Sequence, residues 1–228
     1  MGKIKIGIIG VGNISECHIA GYKGSPNAEL YAFCDINEER LKEKGARHGV
    51  TRLYTSAEEM VNDLPELDAV SVCVWNCNHY KCTMAALRAG KHVLCEKPLA
   101  MNEAQATEMR DFAKAQGKLL MVGFVRRFMA ETEELKRLTD EGYFGEMYYT
   151  RQPTSVRTAT PADGSATRNA AAADPSLIWV FTSSTRLATS WAIPCPLRFT
   201  PWWIRSWIAR VSAAAWTTRP PTPATSTT

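Results

Sequence analysis

Apolar and polar positions alternate in blocks along the first 124 residues. Six short blocks are apolar almost throughout and are bounded by glycine or polar residues, a pattern typical of buried β-strands. They cover residues 3–9, 29–34, 52–54, 68–74, 91–95 and 118–124. The blocks between them predict helices, which cover residues 13–23, 38–48, 79–89 and 103–116, with one more after Ser56.

Polar residues at the predicted helix starts support this assignment. Asn37 precedes the second helix, and Ser56 and Asn102 each stand three residues before a Glu or Gln, which is the spacing of a capping box. Strands that are apolar on both faces and separated by helices indicate parallel β-α-β units with right-handed crossovers. We therefore expect an α/β fold with a doubly wound parallel sheet, in which ligands bind beyond the carboxyl ends of the strands.

A glycine-containing turn, GVGNIS at residues 10–15, follows the first predicted strand and opens the first predicted helix. Gly10 permits a tight turn, and Gly12 leaves room for a diphosphate to approach the backbone. Free amides and the helix dipole would then attract the anion, with Asn13 and Ile14 as further candidates. Ser15 stands where a third glycine is usual. A plain tight turn explains these residues equally well, so the motif needs support from elsewhere in the chain.

Asp35 gives that support, because it ends the second predicted strand. It follows Gly12 at close to the spacing of about 20 residues that separates the glycine turn from the ribose-binding acid. A carboxylate here can accept hydrogen bonds from both ribose hydroxyls and repels a 2′-phosphate, which favours NAD over NADP. Arg40 on the following helix argues in the other direction. The alternative is that Asp35 only begins a turn.

The triplet Glu96-Lys97-Pro98 closes the fifth predicted strand, where the nicotinamide end of a dinucleotide would lie. The run AGKHVLCEKP at residues 89–98 resembles the signature of the Gfo/Idh/MocA oxidoreductases, named for glucose–fructose oxidoreductase and inositol dehydrogenase. The likeness includes GIIGVGNIS at 7–15, His79 and GFVRRF at 123–128, and it spans residues 3–149. It implies a Rossmann sheet followed by a second α+β domain.

The resemblance also implies an activity and a set of site residues. Members of the family transfer hydride between a sugar or inositol-type polyol hydroxyl and NAD(P). Lys97 would be the catalytic residue, reaching the substrate hydroxyl and the nicotinamide ribose, and Glu96 and Pro98 would lie beside it in the cofactor site. The further cofactor-site positions that it implies are Asn76, His79 and Arg127. Arg127 can equally be a surface charge on a domain hinge, and the loop before His79 lacks the family's usual proline.

One part of the family's chemistry is missing from this sequence. Oxidation of a hydroxyl needs a base, and Lys97 can assist only if its pKa is lowered from about 10.4. The family's principal base is a His of the second domain, but no histidine follows His92. We therefore expect impaired turnover, and a catalytically inactive NAD-binding protein is the alternative function.

Composition and charge change sharply near residue 150. Residues 1–150 hold 19 basic and 21 acidic residues, whereas residues 151–228 hold eight Arg, two Asp and six of the seven tryptophans. Residues 125–150 resemble the start of the family's second domain, which implies a helix over 129–142 and a strand over 145–149. From residue 151 we find no convincing periodicity. We therefore predict a Rossmann domain at 1–124, a truncated or disrupted second domain from 125 to 150, and a poorly ordered tail over 151–228.

We interpret the tail as the product of a frameshift. A shifted frame must turn Trp179-Val180 into glycine, because Trp has one codon, and residues 176–185 can then spell IDLGVHVID. That string contains the Asp and His expected in the second domain. The alternative is a genuine basic, Trp-rich tail that binds nucleic acid or a membrane surface, which we do not expect because no helical stripe organises its side chains. Those side chains belong to Arg186, Arg198, Arg205, Arg210, Trp202, Trp203 and Trp207.

The remaining features exclude other classes of protein. An odd number of cysteines and no Cys-x-x-Cys motif predict reduced thiols and a cytoplasmic location. The spacing of Cys73, Cys77, His79 and Cys82 fits no zinc motif, so we expect no metal. No signal peptide and no apolar run of about 18 residues are found. The expected partner is a sugar or polyol, and for intact members of the family also a second copy of the chain.

Overall fold

A computed structural model describes residues 2–146 and 202–218, which contain one six-stranded parallel sheet. Its strands are β1 Ile4–Ile9, β2 Ala28–Cys34, β3 Arg52–Tyr54, β4 Ala69–Val72, β5 His92–Cys95 and β6 Leu120–Val122. Their order in the sheet is β3-β2-β1-β4-β5-β6. The chain therefore starts in the middle of the sheet and winds outward twice, in opposite directions, which confirms the predicted doubly wound Rossmann fold.

Seven helices accompany the sheet in the described part of the chain. They are α1 Ser15–Lys23, α2 Glu38–His48, α3 Ala57–Asp63, α4 His79–Arg88, α5 Glu103–Ala115, α6 Ala130–Asp140 and α7 Trp202–Thr218. Single 3-10 turns lie at Asn76–Asn78 and Val125–Phe128.

The predicted helix caps are confirmed. The side-chain oxygens of Asn37, Ser56 and Asn102 accept the backbone N–H three residues later, which satisfies a donor that the helix cannot.

Successive residues of each strand point to opposite faces, so the sheet has an apolar core on each side. Ile8 packs in the core beneath α1 and α2, together with Ile19 and Phe33. Its neighbour Ile9 packs on the other face with Met60, beneath α3, α4 and α5. Burial on both faces explains why the strands are apolar throughout rather than alternating.

Helix α7 completes the cover on the α1 side of the sheet. Its residues Ile204, Trp207, Ile208 and Val211 are buried against α1, β1 and the Val125–Phe128 turn. These positions follow the i, i+3, i+4, i+7 spacing of an amphipathic helix. The expectation of a tail without helical periodicity is therefore wrong for residues 202–218. The surrounding alanines and tryptophans dilute the stripe, and its partner surface exists only once the sheet has formed.

Other predictions for the second half of the chain fall partly outside the described residues. Helix α6 forms where the sequence predicts one, and none of its residues is buried. The strand expected over 145–149 and the string at 176–185 lie mostly or wholly outside residues 2–146 and 202–218.

No helix in the described ranges is long and apolar enough to cross a membrane. The six described cysteines are free thiols, and the cytoplasmic location stays a prediction.

Candidate functional site

Strand register brings the predicted site residues to one edge of the sheet. Ile9 pairs with Cys34 on one side and with Val72 on the other, and Val72 pairs with Cys95. The residues that follow these strands therefore stand level at the carboxyl edge. They are Gly10, Asp35 and Glu96, which the sequence predicts as cofactor-site residues, and also Cys73.

The glycine turn has the geometry that the sequence predicts. Gly10 has a φ of 88°, and a Cβ there would lie 2.7 Å from the carbonyl oxygen of Cys73, so no other residue fits without strain. Above Gly12 the space is open, because an added Cβ would meet no atom within 4 Å. Within the described ranges, the amides of Gly12, Asn13 and Ile14 have no protein acceptor. The turn can therefore offer three N–H donors to an anion at the N-terminus of α1.

Ser15 adapts this turn to the loss of the third glycine. Its side chain is buried, and its hydroxyl donates to the carbonyl oxygen of Gly12 at 2.6 Å. The side chain folds back onto the turn instead of separating α1 from the sheet. The departure from the usual glycine pattern therefore leaves the backbone of the turn intact.

Asp35 is buried and braces the glycine turn from the side. Its Oδ2 accepts the amide of Val11 at 2.8 Å, and its Oδ1 accepts the amide of Asn37 and Nη2 of Arg40, both at 2.9 Å. The Val11 amide is therefore not open to a ligand. From the sequence, Arg40 served only as an argument for NADP. In the structure its guanidinium forms an ion pair with the carboxylate of Asp35.

Glu96 lies 5% exposed at the end of β5, next to the cis peptide bond that joins Lys97 to Pro98. Its Oε1 is 3.0 Å from Nε2 of His18, and its Oε2 accepts the amide of Lys97 at 3.2 Å. A Cβ on Gly123 would stand 2.8 Å from Oε1, so glycine makes room for the carboxylate. Burial raises the pKa of the Glu96 carboxyl, but the hydrogen bonds from His18 and the Lys97 amide, together with the positive charge of Lys97, outweigh it, and the pKa ends below its ordinary value.

His18 is a site residue that sequence reasoning missed. It lies buried on α1, and its Nδ1 is 3.1 Å from the hydroxyl oxygen of Ser71, which is 2.6 Å from the hydroxyl oxygen of Tyr22. A continuous row of hydrogen bonds thus runs from Tyr22 to Glu96. The available signal was the spacing, since Ser15, His18 and Tyr22 share the apolar face of α1, where polar side chains need partners.

His79 stands where the resemblance places it, but its ring faces the protein. Its Nδ1 is 2.6 Å from the carbonyl oxygen of Pro98, and its Nε2 is 3.1 Å from that of Val74. Burial lowers the pKa of His79 by more than these two carbonyls raise it. With both ring nitrogens against backbone oxygens, His79 supports the turn around Pro98 rather than reaching outward. Because both ring nitrogens contact backbone oxygens, neither is open to a metal ion. The described residues contain no group of three or more His, Cys, Asp or Glu side chains that could hold one.

The remaining predicted residues line the same edge. Asn76 lies in a 3-10 turn after β4, beside Trp75, which is half exposed. Arg127 is exposed in the turn after β6, with its guanidinium 5.3 Å from the ring centre of Phe124. Lys97 is partly exposed, and its ammonium has no carboxylate partner in residues 2–146 or 202–218. The edge thus combines open amides, an acidic residue and an unpaired amine.

Residues 4–124 match the sequence profile of a family described as "Oxidoreductase family, NAD-binding Rossmann fold". Myo-inositol 2-dehydrogenase from Thermotoga maritima is 35% identical over 160 residues, which cover 70% of this chain and 48% of that protein. D-glucoside 3-dehydrogenase from Escherichia coli is 35% identical over 162 residues, which cover 71% and 46%. The structure of scyllo-inositol dehydrogenase from Lactobacillus casei with bound NAD(H) and scyllo-inositol superposes with a TM-score of 0.60 at 28% identity, covering 63% of this chain and 43% of that one. The chain spans about half the length of these relatives.

Proposed function

The chain belongs to the Gfo/Idh/MocA family of NAD-binding oxidoreductases, and on that premise we propose that it binds NAD at the carboxyl edge of its sheet. The reaction we propose is hydride transfer between a sugar or inositol-type polyol hydroxyl and the nicotinamide. The observation that carries the proposal is the meeting of the open glycine turn, Asp35 and Lys97 at one sheet edge. The inositol and glucoside dehydrogenases that resemble this chain support the substrate class.

The glycine turn fits the diphosphate of a dinucleotide. The amides of Gly12, Asn13 and Ile14 have no acceptor among the described residues, and they lie at the start of α1, where the helix dipole also favours an anion. The open space over Gly12 allows close approach of the phosphates. NAD, when bound, supplies the carbon that accepts hydride. The protein holds the diphosphate and orients the rest of the molecule along the edge.

Asp35 is the proposed ribose-binding residue. Its Oδ1 already has two donors, but its Oδ2 has one, so one lone-pair position remains for a ribose hydroxyl. Its negative charge disfavours a 2′-phosphate, which supports NAD over NADP. The ion pair with Arg40 reduces that charge and weakens the discrimination.

Lys97 is the proposed catalytic residue. Within the described residues its amine has no carboxylate partner, so beside the EKP turn it can bind the substrate hydroxyl and hold or move its proton. Asn76, Glu96, Pro98 and Arg127 are proposed as its neighbours in the cofactor site. Of these, Glu96 acts on the backbone of Lys97, since it accepts that residue's amide hydrogen.

Calorimetric titration with NAD and NADP tests the binding proposal. We expect saturable binding of NAD that is tighter than that of NADP. Asp35→Asn should weaken NAD binding by about 10-fold to 100-fold, the loss expected for a hydrogen bond to a charged group. Asp68→Asn is the matched control, because Asp68 accepts the amide of Lys5 at the opposite edge of the sheet. Folded protein that binds neither dinucleotide would refute the proposal.

We further propose that turnover by this chain is low. The sequence has no histidine after His92 to serve as the family's second-domain base, and losing a general base costs about 10²-fold to 10⁴-fold in rate. This absence favours the second candidate function, a catalytically inactive NAD-binding protein. NADH formation from myo-inositol or a glucoside at a rate typical of intact dehydrogenases would contradict both.

The nucleotide sequence of the gene tests the frameshift proposal. Codons that cannot spell IDLGVHVID in the shifted frame would end it. If they can, restoring the frame should raise NADH formation.

The division at residues 124 and 150 also remains a proposal, with one addition. Helix α7 packs on the sheet, so residues 202–218 join the first domain in this chain. Trp207 is buried there, which speaks against a Trp-rich membrane or nucleic-acid surface that includes it.

A further inference from the structure

Two buried histidines flank the EKP turn from opposite sides. His18 reaches it from α1, with Nε2 3.0 Å from the carboxylate of Glu96. His79 reaches it from α4, with Nδ1 2.6 Å from the carbonyl oxygen of Pro98. Lys97 stands between the two residues that they contact. The nitrogens of both rings contact protein atoms, so their contribution is to the turn itself.

The hydrogen bonds assign the proton positions on His18. A carboxylate only accepts, so Nε2 of His18 carries the hydrogen and donates it to Glu96. Nδ1 can then accept from the hydroxyl of Ser71, which in turn accepts from Tyr22. With Nδ1 unprotonated, each hydrogen bond in this row joins one donor to one acceptor. The second oxygen of Glu96 accepts the amide of Lys97, so the row ends on the lysine's own backbone.

The contacts of His79 hold the other side of the turn. A neutral ring has one N–H, and the shorter contact places it on Nδ1, toward Pro98. His79 is the first residue of α4, so its backbone is held by the helix and by the sheet beneath it. The carbonyl that follows Lys97 is therefore tied to a rigid element. Lysine is a long and flexible side chain, and its amine can be aimed only if its backbone is fixed.

We propose that His18 and His79 are positioning residues that fix the backbone of Lys97 and direct its amine toward the nicotinamide end of the site. This inference rests on the role proposed for Lys97. A misplacement of about 1 Å at a reacting group can cost about 10²-fold in rate, so the two contacts matter beyond stability.

A third buried histidine provides a matched control. His92 lies on the same strand as Cys95 but at the opposite end, and its Nδ1 accepts the amide of Leu119 at 3.0 Å. His92 and His79 are both buried, and each makes a hydrogen bond to the backbone, which His92 accepts and His79 donates. The loss of His92 should therefore affect the fold without moving Lys97.

The first measurement needs no cofactor. Lysines are reductively methylated with ¹³C and observed by NMR, and Lys97 is assigned with Lys97→Arg. In the parent protein we expect a methyl resonance resolved from those of exposed lysines. His79→Leu and His18→Leu should merge it with them, and His79→Gln, whose amide can still donate to Pro98, should retain it. His92→Leu should leave it unchanged. A resolved Lys97 resonance in His79→Leu would overturn the inference. If His18→Leu fails to fold because it removes the donor to the buried carboxylate of Glu96, His79→Leu still provides the test, since it leaves no buried charge without a partner.

The second measurement separates the two ends of the cofactor. We expect His79→Leu to weaken NADH binding about 10-fold while leaving the affinity for ADP, which lacks the nicotinamide end, unchanged. His92→Leu should change neither affinity. If the parent protein bound no NADH, the proposed function would fail, and the lysine resonance would still test the role of the histidines. Equal losses for NADH and ADP would mean that His79 is only structural.

Discussion

The two ends of the sheet bury similar polar side chains but leave them in different states. At the amino edge, Lys91 is 4% exposed and donates to the carbonyl oxygens of Leu64 and Pro65, both at 2.9 Å. Asp68 accepts the amide of Lys5 there, and His92 accepts that of Leu119. Each of these polar groups is matched by backbone, so the edge is closed.

The carboxyl edge has an acid, a lysine and histidines as well, yet its pairing is incomplete. Asp35 and Glu96 are braced by the protein, but in the described ranges the amides of Gly12, Asn13 and Ile14 have no acceptor and the ammonium of Lys97 has no carboxylate partner. The difference shows that buried charge alone does not mark a site. What marks it is a rigid frame of satisfied groups around a few donors that face outward.

The largest expected contrast between the edges comes from two glycines with positive φ. Gly10→Ala should cost about 3 kcal/mol or more, because a strained φ of 88° is combined with a clash against the backbone of Cys73. Gly90→Ala at the amino edge has a φ of 72° but its nearest neighbour is 3.9 Å away, so we expect about 1 kcal/mol. Urea unfolding of both variants measures the difference. Equal losses would mean that the glycine turn relaxes around a side chain.

Groups at the two edges should lower the stability of the protein in different ranges of acidic pH. Burial, with the positive charge of Lys118, lowers the pKa of His92 to about 4. As the pH falls through 6.5, the unfolded chain binds a proton that the folded chain does not, so stability falls until the pH nears 4. The loss is at most about 3 kcal/mol.

Replacement of His92 tests this assignment. His92→Asn should flatten the stability curve between pH 6.5 and 4, as measured by urea unfolding at several pH values. Glu96, whose pKa is lowered, should lose its stabilising contribution only below its unfolded pKa of about 4.5. If the stability of His92→Asn still falls steeply between pH 6.5 and 4, a group other than His92 causes the acid sensitivity.

The smallest contrast concerns two lysines six positions apart. Lys91→Met should cost about 2 kcal/mol, because it leaves the buried carbonyl of Leu64 and the partly buried carbonyl of Pro65 without this donor, and should not change NAD binding. Lys97→Met should change the free energy of unfolding by less than about 0.5 kcal/mol, as at other unpaired surface positions, but should reduce turnover. Thermal unfolding and NADH formation, measured on both variants, test whether Lys91→Met loses mainly stability and Lys97→Met mainly turnover. A large loss of stability in Lys97→Met would contradict it.

Much of this fold is predictable because its signals are local. The strands, the caps at Asn37, Ser56 and Asn102, and the glycine turn each depend on residues within a few positions of one another. The resemblance then indicated the family, which the comparisons confirm. Helix α7 was missed because its stripe is recognisable only against the sheet face that it covers.

The sequence by itself determined which residues end the strands and therefore which chemical groups reach the carboxyl edge. It could not decide how those groups pair. His18 and Glu96 are 78 positions apart, and Asp35 meets the Val11 amide only after β1 and β2 align. Hydrogen bonds need atoms within about 3 Å in a defined direction. Only the tertiary structure brings distant side chains to that distance, and it alone leaves the ammonium of Lys97 without a carboxylate partner and the amides of Gly12, Asn13 and Ile14 without an acceptor in the part of the chain that the structure describes.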